Sequence, residues 1–119
     1  MTRRQAASRL REIEEKRKNS HKKLLDLGSK TYRAFIEMDK ATYSDGALSK
    51  KVKELIALGV SVVINCEDCM EWHVKAAAGA GAGYDELLEA VEVGMEMGGG
   101  PATAHARFAL EVMDFVFDR

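Results

Sequence analysis

The spacing of apolar and polar positions along this chain predicts helices and no strand. Between residues 52 and 63, apolar residues and one glycine recur at intervals of three and four, at Val52, Leu55, Ile56, Gly59, Val60 and Val63. The β-branched run VSVVIN at 60–65 continues this series, so we predict a helix there despite the strand propensity of its residues. A single proline, Pro101, and many Ala, Leu, Glu and Lys residues agree with a helical chain.

The pattern predicts an all-α fold, a compact bundle of about six helices that forms an oligomer. The predicted helices are 3–19, 20–39, 50–64, 66–78, 85–97 and 101–117, the first two of which can also be read as one. Ser49 is the predicted N-cap of the third helix. Asn65 is the predicted N-cap of the fourth, because Asp68 follows at the spacing of a capping box. Glycine runs, GAGAG and GGGP, end the fourth and fifth helices.

Length and composition limit the class of protein. The chain has 119 residues, 46% apolar and 31% charged, which is typical of a single globular domain. It holds no apolar run of membrane-spanning length, and its charged amino terminus lacks the apolar segment of a secretory signal. We therefore expect a cytoplasmic protein with no membrane partner. In a reducing compartment, a CxxC pair is more typical of a redox or metal site than of a structural disulfide.

Charge is divided unevenly along the chain. Residues 1–33 hold eleven Lys/Arg and four Asp/Glu, a surplus of +7, while the rest hold seven and fifteen, a deficit of −8. We assign residues 1–42 as a basic amino-terminal helical segment. Its basic residues lack interleaved aromatics, which favours a solvated helix face, or one docked on the acidic half of a partner subunit. We expect no nucleic-acid partner.

The candidate chemistry lies in NCEDCMEWH, residues 65–73, which holds both cysteines of the chain. On a helix, Cys66, Cys69 and His73 fall at i, i+3 and i+7 and share one face. Cys66 lies in the first helical turn, where free N–H groups and the helix dipole favour a thiolate. One nucleophile, one resolving thiol and one base are the parts that two-electron thiol chemistry needs.

Two other interpretations of these residues stay open. Cysteines are often buried and act as small apolar side chains, so the pair could be inert. The three side chains could also supply zinc ligands, but no second CxxC or HxxxH completes the set, and we expect no metal. No nucleotide or flavin loop occurs, so we expect no organic cofactor either.

Glu54 is the next candidate, twelve residues before Cys66. It lies off the apolar stripe of its helix, which is typical of a solvated glutamate. If the third and fourth helices form a hairpin, however, Glu54 lies beside the Cys–His face. There it would orient His73 or take its proton.

These residues together resemble a known family. Glu54, eleven residues, CEDCMEWH, AAAGAG, DELLEAV and GGGPA resemble the carboxymuconolactone decarboxylase-like family, in its alkylhydroperoxidase D-like branch. The resemblance covers about residues 44–117, and we assign 43–119 as this domain. It implies an all-helical homo-oligomer, commonly a trimer or hexamer.

The resemblance also implies an activity, the reduction of small hydroperoxides by the cysteine pair. Cys69 would attack the peroxide and Cys66 would resolve the sulfenic acid to a disulfide. Glu54 and His73 would form the proton relay. A dithiol protein, such as a lipoyl domain or a thioredoxin-like protein, would supply the electrons. One residue departs from the family pattern, since Asp68 stands where the best-studied members carry a histidine.

Two rival functions remain. The decarboxylase branch acts on a lactone acid without a redox CxxC, and Arg107 and Arg119 are the only arginines after residue 33 that could bind a dicarboxylate. His105 is interpreted as a partly exposed polar residue rather than a site residue. Outside enzymes, the rival is a helical oligomeric scaffold whose thiols are inert. A measurement of the reactivity of the two thiols would distinguish these candidate functions.

Overall fold

Five helices make up the protein in the computed structural model, which describes residues 2–119. They are α1 (Arg3–Asp26), α2 (Lys30–Thr42), α3 (Lys50–Ile64), α4 (Glu67–Gly79) and α5 (Tyr84–Phe117). No strand occurs within residues 2–119, so the predicted all-α class is confirmed. None of these helices combines the length and the apolar character that crossing a bilayer requires.

The described chain divides between Ser44 and Asp45 into two units. The first holds α1 and α2, and the second holds α3, α4 and α5. Our assignment of 1–42 and 43–119 as separate domains stays a prediction, because nothing in the structure tests whether either part acts on its own.

In the first unit, α1 runs past the predicted break at residue 19 and continues to Asp26. The chain turns instead at Gly28, whose φ of 69° lies in the left-handed region that glycine adopts without strain. Ser29 then caps α2, since its hydroxyl accepts the N–H of Tyr32 at 3.1 Å. The Tyr32 hydroxyl lies 2.6 Å from Nδ1 of His21 and joins the two helices.

In the second unit, α3, α4 and α5 pack against one another. The predicted cap of α3 is confirmed, because the Ser49 hydroxyl accepts the N–H of Val52. The core consists of fully buried side chains from all three helices, among them Leu58, Val62, Met70, Val74, Leu87, Val91, Val112 and Met113. Where α3 crosses α5, a Cβ on Gly94 would lie 2.7 Å from the carbonyl oxygen of Gly59. The close crossing therefore depends on the absence of a side chain at Gly94.

The fifth helix is bent back on itself at Gly99, which has φ 72° and ψ −154°. The hydroxyl of Tyr84 donates to Asp114 at 2.7 Å. In a straight helix these residues, thirty positions apart, would be separated by about 45 Å. The segments 84–98 and 100–117 thus lie side by side, which explains why six helices were expected and five are observed. Pro101 suits the start of the second segment, where its missing N–H leaves no bond unmade.

The periodic apolar stripe predicted for α3 lies largely on the outside of the chain. Val52, Ile56, Val60 and Val63 are 36%, 52%, 52% and 39% exposed. A different face of α3, which includes Leu58 and Val62, contributes to the core of the second unit. The prediction of a helix was right, but the stripe does not mark the side that packs within the chain.

Candidate redox site

The site begins at a tight turn between α3 and α4. Asn65 ends α3 with φ 56° and ψ 44°, a left-handed conformation that Asn tolerates better than most residues. The N–H of Cys66 then donates to the carbonyl of Ser61 at 3.1 Å, in the pattern of a Schellman motif. Because only Asn65 and Cys66 connect the two helices, α3 and α4 form a hairpin.

Cys66, and not Asn65 as predicted, is the N-cap of α4. Its Sγ accepts the N–H of Cys69 at 3.2 Å. The predicted capping box is therefore wrong, because Asn65 is used to terminate α3 in the left-handed conformation and cannot also cap α4. The correction places a sulfur, rather than an amide, at the positive end of the helix dipole.

The two cysteines form a disulfide. The Cys66 and Cys69 sulfur atoms are bonded, with Cα atoms 5.1 Å apart, and both residues are half-buried. Within residues 2–119 no three His, Cys, Asp or Glu side chains are grouped to hold a metal ion. Because the two sulfur atoms are bonded to each other, the cysteine pair can accept two electrons. Its reduced form would present two thiols at the start of α4.

Glu54 lies on the buried side of α3, so its interpretation as a solvated glutamate is wrong. Its side chain is 1% exposed, and Oε1 lies 2.9 Å from Nδ1 of His73 on α4, which is 13% exposed. The hairpin brings the two together. Because the oxygen of an ionised carboxylate only accepts, Nδ1 of His73 carries the hydrogen. In the neutral ring, Nε2 then remains as a proton acceptor.

Lys50 is a third member of this cluster and is not among the residues that the sequence pattern singled out. Its Nζ lies 3.4 Å from Oε2 of Glu54, and its side chain is 48% exposed. The spacing of four residues on one helix face could have predicted the contact. The buried carboxylate is thus shared between an ammonium group and an imidazole.

All four residues singled out from the sequence lie on the hairpin. Cys66 and Cys69 are bonded to each other, and Glu54 is hydrogen-bonded to His73. His73 follows Cys69 by four residues on α4, so the two lie on the same helix face. The catalytic roles assigned to these residues remain predictions.

Neighbouring residues take structural positions. His105 is half-buried, and its Nδ1 lies 2.8 Å from the carbonyl oxygen of Val62, in the last turn of α3. Since a carbonyl only accepts, Nδ1 of His105 donates there. Met70 is fully buried in the core and Trp72 is 44% exposed. Asp68, which departs from the family pattern, is exposed in the first turn of α4, where a negative charge favours the helix.

Comparisons with known proteins agree on one family. Residues 29–112 match the sequence pattern of the carboxymuconolactone decarboxylase family. The protein called "Uncharacterized protein 4 in cox locus" from Paracoccus denitrificans is 46% identical over 81 residues, which are 68% of this chain and 73% of that protein. An uncharacterized protein from Cupriavidus necator is 40% identical over 81 residues, which are 68% of this chain and 72% of that protein.

Solved structures extend the similarity to most of the chain. A carboxymuconolactone decarboxylase family protein from Legionella pneumophila, in its apo form, has a TM-score of 0.85 and 31% identity, over 90% of this chain and 96% of that one. A Thermotoga maritima protein of the same family, suggested to be involved in antioxidative response, has a TM-score of 0.82 and 29% identity, over 90% of this chain and 91% of that one.

Proposed function

This chain belongs to the carboxymuconolactone decarboxylase family, and we propose that it is a thiol–disulfide oxidoreductase that reduces small hydroperoxides. The observation that carries the proposal is the hydrogen bond between the buried Glu54 and the half-buried His73, which follows Cys69 of the Cys66–Cys69 disulfide by one helical turn. A buried carboxylate that is hydrogen-bonded to an imidazole on the same helix face as Cys69 supplies a proton acceptor for thiol chemistry. The suggested antioxidative role of the Thermotoga maritima protein supports the same direction.

In the proposed reaction, the Cys69 thiol of the reduced protein gives its proton to Nε2 of His73. The thiolate attacks one peroxide oxygen, the O–O bond breaks, and Cys69 becomes a sulfenic acid. The alkoxide that leaves takes the proton back from Nε2 of His73 and departs as the alcohol. Cys66 then attacks the Cys69 sulfur, the S–O bond breaks, water leaves with the Cys66 proton, and the disulfide forms.

Glu54 supports the proton transfer through His73. Its carboxylate accepts the Nδ1 hydrogen and therefore favours the tautomer of the imidazole in which Nε2 is the basic nitrogen. When the ring takes the thiol proton, it becomes a cation beside a buried anion. That pairing stabilises the state in which the thiolate exists.

The disulfide must be reduced before another turnover. We propose a protein dithiol as the donor, such as a lipoyl domain or a thioredoxin-like protein, which gives two electrons and two protons and is itself oxidised to a disulfide. A cytoplasmic location, where such donors are kept reduced, is part of the proposal.

Self-association into a homo-oligomer, a trimer or hexamer, is also proposed. It is supported by the outer apolar face of α3 (Val52, Ile56, Val60 and Val63), which is more than one third exposed in the single chain. Val93 and Met97 on α5 are exposed as well, at 63% and 73%. Exposed apolar surface of this kind is typical of a protein interface, and we take its occupant to be a second copy of the chain.

The test is the mass of the reduced protein over time after one equivalent of an organic hydroperoxide. We expect a fast loss of two hydrogens in the wild type. Cys66→Ser should instead gain one oxygen at Cys69, because no thiol remains to resolve the sulfenic acid. His73→Ala should react roughly 10²-fold more slowly, the scale on which a general base is lost.

His21→Ala is the matched control, since His21 bonds Tyr32 in the first unit and should not affect the rate. An unchanged rate in His73→Ala would remove the relay from the mechanism. No change of mass in the wild type over many minutes would reject peroxide as the oxidant. The remaining candidate functions would then be another thiol–disulfide reaction, the decarboxylase activity, or an inert helical scaffold.

A further inference from the structure

The acidic member of the proposed relay is shared between two basic groups. Oε1 of Glu54 lies 2.9 Å from Nδ1 of His73, and Oε2 lies 3.4 Å from Nζ of Lys50. Glu54 is 1% exposed and Lys50 is 48% exposed. The ammonium group therefore lies between the buried carboxylate and the solvent.

We infer that Lys50 is a positioning residue, which keeps Glu54 ionised while His73 stays neutral. This inference rests on the proposed function and names a further residue for it. Lys50 takes no direct part in the proposed thiol chemistry, and it acts through Glu54.

The reason is charge compensation. A carboxylate that is removed from water needs a nearby cation or it takes up a proton. If Lys50 carried no charge, the anion would favour the doubly protonated ring, and less of His73 would be able to accept a proton from Cys69. With the Lys50 ammonium on the other oxygen, the anion is compensated and the ring is free to act as a base.

The start of α3 fixes this geometry. Ser49 caps the helix, so Lys50 is its first residue and lies one turn before Glu54 on the same face. The next residue, Lys51, points to a different partner and lies 2.9 Å from Glu86 on α5. Both neighbouring lysines thus pair with a glutamate. Lys50 pairs with Glu54 of the proposed relay, and Lys51 pairs with Glu86, which is not part of it.

The experiment compares four variants of the reduced full chain at neutral pH. They are Lys50→Met, Lys50→Gln, Lys50→Arg and the control Lys51→Met. The first readout is the rate of the two-hydrogen loss after one equivalent of an organic hydroperoxide. The second is the protonation of the His73 ring, observed by its ¹⁵N resonances, which needs no peroxide chemistry.

We expect Lys50→Met and Lys50→Gln to be oxidised about threefold to tenfold more slowly, the scale of one partly exposed ion pair. Both should show more imidazolium at His73. Lys50→Arg, which keeps the charge, should stay within about twofold of the wild type. Lys51→Met should match the wild type in both readouts.

Wild-type ring signals and rates in both Lys50→Met and Lys50→Gln would overturn the inference. So would an Lys50→Arg protein as slow as Lys50→Met, because the charge would then not be the cause. If the wild type itself does not react with hydroperoxide, the proposed function fails, and the His73 resonances still decide the role of Lys50. A variant that does not fold is recognised by its circular dichroism, and the second neutral variant then takes its place.

Discussion

The two faces of α3 differ from those expected of a surface helix, because the inner face buries polar side chains beside apolar ones and the outer face exposes apolar side chains. The inner face holds Glu54 and Ser61 together with Leu58 and Val62, all at most 3% exposed. The outer apolar face, defined above, is between 36% and 52% exposed. One helix thus carries both a buried glutamate and an exposed apolar stripe.

Each face is unfavourable in the isolated chain for a different reason. Burial of a carboxylate is costly unless the charge is paired, and Glu54 is paired with Lys50 and His73. Exposure of apolar side chains forfeits about 25 cal/mol for each Å² left in water. The inner face is therefore explained by the proposed chemistry, and the outer face by the proposed self-association.

The largest effect on stability should separate the two faces directly. Leu58→Ala empties a fully buried position, and we expect it to lower the free energy of unfolding by about 2–5 kcal/mol. Ile56→Ala, at a 52% exposed position two residues earlier, should change it by less than about 0.5 kcal/mol. Both are measured by urea unfolding at protein concentrations where the midpoint no longer depends on concentration. Equal losses would contradict the assignment of an inner and an outer face.

An intermediate effect is expected at the crossing of α3 and α5. A Cβ on Gly94 would meet the Gly59 carbonyl oxygen at 2.7 Å and Cβ of Val62 at 3.1 Å. Gly94→Ala should therefore destabilise the protein by about 1–3 kcal/mol through overpacking, even though alanine favours helix. Gly100→Ala is the control, because nothing lies within 4 Å of its added Cβ. If Gly94→Ala is as stable as Gly100→Ala in urea, the helices are not held in close contact.

The smallest effect on stability should come from the outer face, together with a change of mass. Val60→Glu places a charge on a half-exposed position, so unfolding of the single chain should change by less than about 0.5 kcal/mol. The same charge would be buried unpaired between two copies, so the molar mass in light scattering should fall to that of one chain. Ala41→Glu adds the same charge at an exposed position of α2 and serves as the control. If Val60→Glu keeps the molar mass of the wild-type oligomer, the interface lies on another surface.

Much of the fold could be predicted because its signals are local. Ser49 was recognised as a cap by its residue type, and the GGGP run, predicted to end the fifth helix, lies where α5 bends at Gly99. Helix boundaries at which two local signals compete were harder to predict. Asn65 can cap a following helix or end a preceding one, and the left-handed turn of α3 decided for the second.

The candidate site likewise has features that local spacing predicts and features that depend on how the helices pack. Helical spacing alone places Cys69 and His73 on one side of α4, since their relative angle follows from 3.6 residues per turn. Cys66 was predicted on the same face, but it is the extended N-cap and is joined to Cys69 by the disulfide. Glu54 could only be joined to them by assuming that α3 and α4 form a hairpin. The contact of Lys50 with Glu54 could have been found from spacing, but its importance depends on the burial of the carboxylate.

The sequence by itself determined that this chain is helical and that Cys69 and His73 share a helix face, because both follow from local spacing. Only the tertiary structure decided which side of α3 packs inward, because both sides carry apolar residues and periodicity specifies angles without specifying neighbours. The same packing took Glu54 out of water and set it against His73. Burial is a property of the assembled helices, and it turns an ordinary glutamate into a candidate member of a proton relay.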